Sequence, residues 1–191
     1  MIRAYFEEEE FSGTEFTNET FTKGEYENCE FINCRLSSLD LSDFTFVDCQ
    51  FQNCDLSTSK LNNTAFSNVR FKNCKLLGLQ FDQCHSYMFS VQFENCQLNL
   101  ASFYQRKMKK TVFRKCHLLE VDFSETDISN SIFQECNLEG AIFDHTNLEK
   151  TDLSSSYGFI IDPDNNKLKK ARFSVRGLPG LLGKYDLKIE D

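Results

Sequence analysis

The sequence predicts an all-β protein whose chain coils into a rod of square cross-section, and three observations predict it. A large apolar residue recurs at every fifth position, the motif Phe-x-x-Cys-x-Leu returns every 20 residues, and the position two before each large residue is mostly Cys, Thr, Ser, Ala or Val. A period of five suits neither a 3.6-residue helix nor a two-residue pleat, because it scatters the apolar residues around either one. It suits a chain that turns a corner every five residues.

The large residues, called centres below, run by fives from Phe6 to Phe81 without a polar exception. The frame then slips by two residues in DQCHSYM and runs by fives again from Met88 to Leu153. The motif reads FINCRL at 31, FQNCDL at 51, FKNCKL at 71, FENCQL at 93, FRKCHL at 113 and FQECNL at 133, so four five-residue sides close one coil. Reading the slip as a two-residue insertion keeps two columns intact. One holds Phe11, Phe31, Phe51, Phe71, Phe93, Phe113 and Phe133, the next Phe16, Leu36, Leu56, Leu76, Leu98, Leu118 and Leu138. Coils at strand spacing, roughly 4.8 Å, make the rod about 36 Å long. In an extended backbone the residue two before a centre points the same way as the centre, so the interior takes one large and one small side chain per side.

Composition narrows the class of function. The formal charge is −8, which repels nucleic-acid phosphate and favours a basic partner. The N-terminus MIRAYFEEEE has no apolar leader and there is no 18-residue apolar run, so a cytoplasmic protein is expected. The nine cysteines then read as free thiols; nearly all sit two before a centre, and no C-x-x-C pair occurs, which points to small buried hydrophobes rather than metal ligands. His85, His117 and His145 are far apart in the repeat with no nucleophile or base at a recognisable spacing. No catalytic, metal or cofactor site is expected. Asn33, Asn53, Asn73 and Asn95 stack two after the Phe column and read as an inter-coil amide ladder.

The centres and their small partners resemble the pentapeptide-repeat family over about residues 6 to 153, and the resemblance implies a right-handed quadrilateral β-helix. Within that family the chain is most similar to the quinolone-resistance proteins: a coil rich in Phe and Cys, one interruption near the middle, and a C-terminal dimerising segment. That implies a non-enzymatic, acidic DNA mimic that binds DNA gyrase and topoisomerase IV in place of duplex DNA and relieves poisoning by fluoroquinolones. The alternative within the family is an interaction scaffold with another partner. The better-known transferable members carry two long loops, where this chain has a two-residue slip and one irregular side, so their loop contacts are not carried over.

Three surface features are candidates for partner contact. Asp40, Asp43, Asp82, Asp122, Glu125 and Asp144 lie beside the side centred on Leu41, Leu61, Phe81, Phe103, Phe123 and Phe143, opposed by Lys23 and Lys60, and read as an acidic face. A second acidic cluster, Glu7 to Glu10 with Glu15, Glu19, Glu25, Glu27 and Glu30, is expected to cap the open N-terminal edge. In SFYQRKMKKTVF, Arg106 falls in a small-residue slot, where an unpaired buried charge costs several kcal/mol. A bulge is expected there, presenting Tyr104, Arg106, Lys107, Lys109 and Lys110 as a basic knob.

The period of centres ends at Leu153, so residues 1–157 are assigned to the β-helix and 158–191 to a cap. FIIDPDNNKLKKARF reads as two extended pieces around the turn at 162–166. Ser174 can cap a short helix carrying Leu178, Leu181, Leu182 and Tyr185, followed by an extended Leu187–Lys188–Ile189, although Pro179 and the glycines at 177, 180 and 183 oppose an α-helix. The family resemblance makes this segment the interface of a homodimer.

Overall fold

After every fifth residue the backbone enters the left-handed region for one residue, and that residue makes the corner. From Asn28 to Asn73 every second residue beyond a centre has φ between 52° and 62°, and the pattern resumes from Asn95 to Lys150. L-residues other than Gly adopt this conformation reluctantly, and Asn and Asp do so most readily. The recurring Asn of the motif is therefore a corner residue first. It is a ladder second: Asn53 Nδ2 donates to Asn33 Oδ1 at 3.1 Å, Asn73 to Asn53 at 3.0 Å and Asn95 to Asn73 at 2.8 Å.

The computed structural model describes residues 4–87 and 89–188. Over them the chain forms a right-handed β-helix of square section in which every strand pairs in parallel with the coil above or below. Side one holds β1 (Ala4–Glu7), β3 (Gly24–Glu27) and β5 (Thr45–Val47); side two holds β2 (Glu10–Ser12), β4 (Glu30–Ile32) and β6 (Gln50–Gln52). β7 (Ala65–Lys72) and β8 (Phe89–Glu94) run from side one into side two, where β9 (Val112–Arg114) and β10 (Ile132–Gln134) continue the stack. Sides three and four are linked by single bridges such as Lys75↔Gln97 and Ser102↔Asp122.

Register places the side-two centres in one column, and their rings stack from Phe11 to Phe133 with centroids 4.6 to 5.5 Å apart. Neighbouring columns meet these rings edge-on, as in Phe103–Phe113 at 81°. Offset stacking within a column and edge contact between columns suit the ring quadrupole, so Phe fills the interior where Trp would not fit the repeat.

The small slot carries a requirement that size alone does not express. Its side chain donates to the carbonyl of a centre in the preceding coil: Cys54 Sγ to Phe31 O at 3.2 Å, Thr64 Oγ1 to Leu41 O at 2.7 Å, Thr126 to Phe103 O at 2.8 Å, Ser156 to Phe133 O at 2.8 Å. These groups are buried and would otherwise be costly. Cys, Ser and Thr recur because each is small and carries a donor.

Arg106 occupies one of these slots, and the expected bulge is absent. The ladder passes it without a break, with Arg106 N bonded to Phe103 O and Lys107 bridged to Asp127. Its side chain is buried, 6% exposed, and Nε donates at 2.7 Å to Phe81 O, the carbonyl a Thr would take in that column. The guanidinium reaches further, to Asp82 O at 2.6 Å and to Cys84 O, and lies over the Phe89 ring at 5.2 Å. Those acceptors belong to the slip, where a 3₁₀ turn at Phe81–Gln83 interrupts side four and the pairing of β7 with β8 shifts between Phe66 and Val69. Arg106 is therefore the internal clamp of the irregular side. The two-residue insertion itself is as the columns require, with Phe71 opposite Phe93. Met88, the first centre after the slip, lies outside the described residues; its neighbour Phe89 is buried and pairs with Phe66.

The coil does not stop where the count of centres does. Asn147 bridges Lys167 and Asp152 bridges Arg172, while Asn166 takes the slot and donates to Phe143 O at 3.0 Å. Gly158 and Pro163, five and ten residues beyond Leu153, broke the count of centres and hid the coil's continuation.

Arg106→Thr keeps a donor for Phe81 O but leaves Asp82 O and Cys84 O unsatisfied. A loss of about 2–4 kcal/mol in unfolding free energy is expected from denaturant melts, with faster amide exchange confined to 82–87.

Candidate functional site

With the interior filled, chemistry is left to the outer positions: one residue before each centre, one after, and the corner. The six predicted acids all lie on side four or its corner, but not as a continuous ridge. The column before the centres reads Asp40, Lys60, Gln80, Ser102, Asp122 and Ile142 in register, so four of its six rungs are not acidic. Asp40 and Asp122 use Oδ1 to accept the amide two residues on, from Ser42 at 3.0 Å and Ser124 at 2.8 Å, and so brace the turns. Ser42 holds the Asp40 carboxyl below its usual range. Asp43 pairs with Lys23 at 2.7 Å and accepts from Asn63 at 2.8 Å. Asp82 is half-buried, with an Oδ1 that has no hydrogen-bond partner among the described residues. Glu125 accepts from Tyr104 OH at 3.1 Å and Gln105 Nε2 at 2.8 Å, and Asp144 sits 3.0 Å from His145. Negative charge is therefore concentrated at two places: Asp40 and Asp43, countered by Lys23 and Lys60, and the group Asp122, Glu125 and Asp144.

The predicted basic knob divides. Arg106 points inward, as described above. Tyr104 is 38% exposed and held by Glu125, which raises its phenol above the ordinary range. Lys109 pairs with Asp127 at 3.2 Å, while Lys107 and Lys110 are exposed. At the other irregular side, Tyr87 is 92% exposed, and His85 is half-buried with its Nδ1 unpartnered among the described residues.

The N-terminal acids face outward in stacked like-charged pairs, Glu7 on Glu27 and Glu10 on Glu30, with Glu27 accepting from Tyr5 OH at 2.7 Å. Below them the centres Phe6, Phe11 and Phe16 stay half-buried. The thiols are buried, and desolvation pushes Cys49 and Cys116 up to about 12, which leaves both protonated and unreactive at neutral pH. Among the described residues no group of three or more His, Cys, Asp or Glu could hold a metal, and no helix is long and apolar enough to cross a membrane.

At the C-terminal end Phe159 and Ile161 close the core, and a 3₁₀ helix, Val175–Leu181, lies over Phe159. Ser174 caps it as expected, accepting from Gly177 N at 3.1 Å. The helix is 3₁₀ rather than α, with three residues per turn, and this aligns Gly177 and Gly180 on one side, while Gly183 opens a second 3₁₀ turn, Gly183–Tyr185. A Cβ on Gly180 would lie 2.2 Å from Phe159 O, and one on Gly183 would lie 3.0 Å from Ile160 Cγ2. The glycines that argued against a helix are what allow this one to sit on the core. Leu181 also turns inward, whereas Leu178, Leu182 and Tyr185 are 45%, 38% and 55% exposed. Lys184 ties the segment down, bonding Asp162 at 2.7 Å and Asp164. Ile189, the last residue of the expected extended piece, lies outside the described residues.

A family model described as a pentapeptide repeat region matches residues 24–87 and 86–157. No curated protein matches the chain in sequence. Among solved structures, a trypsin-treated form of QnrB1, a plasmid-mediated fluoroquinolone resistance protein, superposes with a TM-score of 0.63 at 19% identity, covering 98% of each chain. Full-length QnrB1 gives a TM-score of 0.46 at 20% identity, over 96% of this chain and 100% of that one. HetL of the cyanobacterium Nostoc sp. strain PCC 7120, a pentapeptide repeat protein involved in heterocyst differentiation regulation, gives 0.30 at 14% identity, over 90% and 86%.

Gly180→Ala is expected to lift the 3₁₀ helix from Phe159 and cost about 1–3 kcal/mol by overpacking, seen as a lower melting temperature and new protease cleavage after residue 174. Leu178→Ala, on the exposed side, should change stability by less than about 0.5 kcal/mol.

Proposed function

This chain belongs to the pentapeptide-repeat family, and from that premise we propose that it is a non-enzymatic protein that binds DNA gyrase, and topoisomerase IV, in place of duplex DNA and protects them from fluoroquinolones. The observation that carries the reading is the acidic group Asp122, Glu125 and Asp144 on the outer wall of a rod with net charge −8. It is supported by a fold that matches a fluoroquinolone resistance protein along its length. The basic surface that grips DNA on such an enzyme is complementary to carboxylates held on a rigid scaffold. Side four is rigid because its acids stand on a hydrogen-bonded coil and two of the six also brace turns.

The exposed Leu178, Leu182 and Tyr185, with Ile160 at 68% and Val175 at 84%, form an apolar end suited to a second copy. Two rods joined there would present both acidic faces about a two-fold axis.

With ciprofloxacin present, micromolar protein is expected to restore gyrase supercoiling, and Asp122→Lys with Glu125→Lys to weaken gyrase binding at least tenfold. No protection at that concentration would make the chain a scaffold for another partner, and unchanged affinity of the double variant would reject side four. Truncation after residue 173 is expected to halve the mass measured by light scattering; a truncated chain that remains dimeric excludes the C-terminal interface.

A further inference from the structure

We propose that the outer wall of sides one and two, at mid-rod, is a docking groove for an extended acidic segment of a partner protein. Two shallow hollows lie there, of about 350 and 380 Å³, and they share Gln92. Arg70, Lys72 and Arg114 line the first; Lys107, Lys109 and Lys110 line the second.

The sign of this wall reverses along the rod. In register, the column before the side-two centres reads Glu10, Glu30, Gln50, Arg70 and Gln92, then Val112 and Ile132. One cation, Arg70, thus follows the acids, and two apolar rungs lie beyond Gln92, with Ile132 44% exposed. Among the described residues Arg70, Lys72, Lys107 and Lys110 have no ion-pair or side-chain hydrogen-bond partner, and Arg114 donates only to Gln134 Oε1 at 3.1 Å. Glu94 stands between Lys72 and Arg114 in the next column without reaching ion-pair distance of either. Unpaired cations concentrated on a protein of net charge −8 complement an anionic ligand.

Geometry favours a single extended polypeptide over a duplex. Lys72 and Arg114 stand in one column two coils apart, about 9.6 Å along the axis at strand spacing, with Arg70 two residues back along the strand from Lys72. A polyproline II chain rises about 3.1 Å per residue and presents every third side chain on one side, a repeat of about 9.3 Å. Carboxylates at every third position therefore meet the Arg114 guanidinium, which can take a carboxylate through two N–H groups, and two coils away the cationic pair Arg70 and Lys72. A duplex, wider than a single chain, would also meet Glu10 and Glu30, which stand further along the same column as Arg70, and Glu94 within the groove. The groove lies on other sides than the acids assigned to the topoisomerase, and its test is independent of that assignment.

Fluorescence anisotropy with a labelled peptide of four Glu-Pro-Pro repeats tests this. Binding to the full-length protein in the micromolar range is expected, weakening with added salt and falling at least tenfold for Gln-Pro-Pro repeats and for the double variant Arg70→Glu, Arg114→Glu. Both side chains are exposed, so the variant should keep the parent melting temperature; if it does not, Arg70→Gln with Arg114→Gln serves instead. No binding by the parent overturns the proposal, as does equal affinity of parent and variant. Preferential binding of a 12-base-pair duplex through the same residues assigns the wall to nucleic acid, and self-association lost in the variant assigns it to a second copy; either result rejects a partner peptide.

Discussion

The structure depends on one hydrogen bond repeated along the rod: a short side chain in the slot of one coil donating to the carbonyl of a centre in the coil before it. A side only five residues long turns that carbonyl into the water-excluded corner, where some, such as Leu41 O and Phe103 O, also take a turn amide from three residues on. The slot must be small enough for the interior, and most often it also supplies a proton, although Ala101, Val121 and Ala141 fill it without one. Cys, Ser and Thr satisfy both conditions, and the buried thiols belong to the fold for that reason rather than for any reactivity. Stacked Phe rings fill what remains, so the rod is closed to small molecules.

The slip and the charged slot are two halves of one arrangement. Two extra residues on side four expose additional carbonyls to the interior, and Arg106, one coil later, spans the gap that Thr fills elsewhere in the same column. A buried guanidinium normally carries a heavy desolvation penalty, which here is offset by charge-assisted bonds to carbonyls and by the face of Phe89. A third irregularity, the glycine-lined 3₁₀ helix at the C-terminal end, follows the same logic of close approach, with three glycines admitting backbone against Phe159 and Ile160.

Because every outward residue stands above its counterpart one coil away, the surface is organised as vertical columns. Function on such a molecule resides in the sign and order of charge along a column. Side four mixes acids with neutral and basic rungs, and two of its carboxylates, Asp40 and Asp122, also hold turns in place. Side two passes from glutamate through glutamine to arginine. The two walls are thus suited to partners of different charge, and a rigid interior keeps their spacing fixed.

The fold class, the four-sided coil, the two-residue insertion and the Phe column were legible because a strict period leaves only one geometry that buries every centre. Asn33, Asn53 and Asn73 were legible as a ladder, although their left-handed backbone was not, since conformation at a single residue leaves no mark beyond its identity. Arg106 was misread as a protrusion because the acceptors that accommodate it come from residues 81 to 84, in a neighbouring coil. The extension of the coil to Arg172 was masked by Gly158 and Pro163, which stand where the next two large centres would fall. The sequence by itself determined which side chains face inward, because that depends only on spacing; tertiary structure alone decided which charges are free, because pairing depends on what lies one coil above and below.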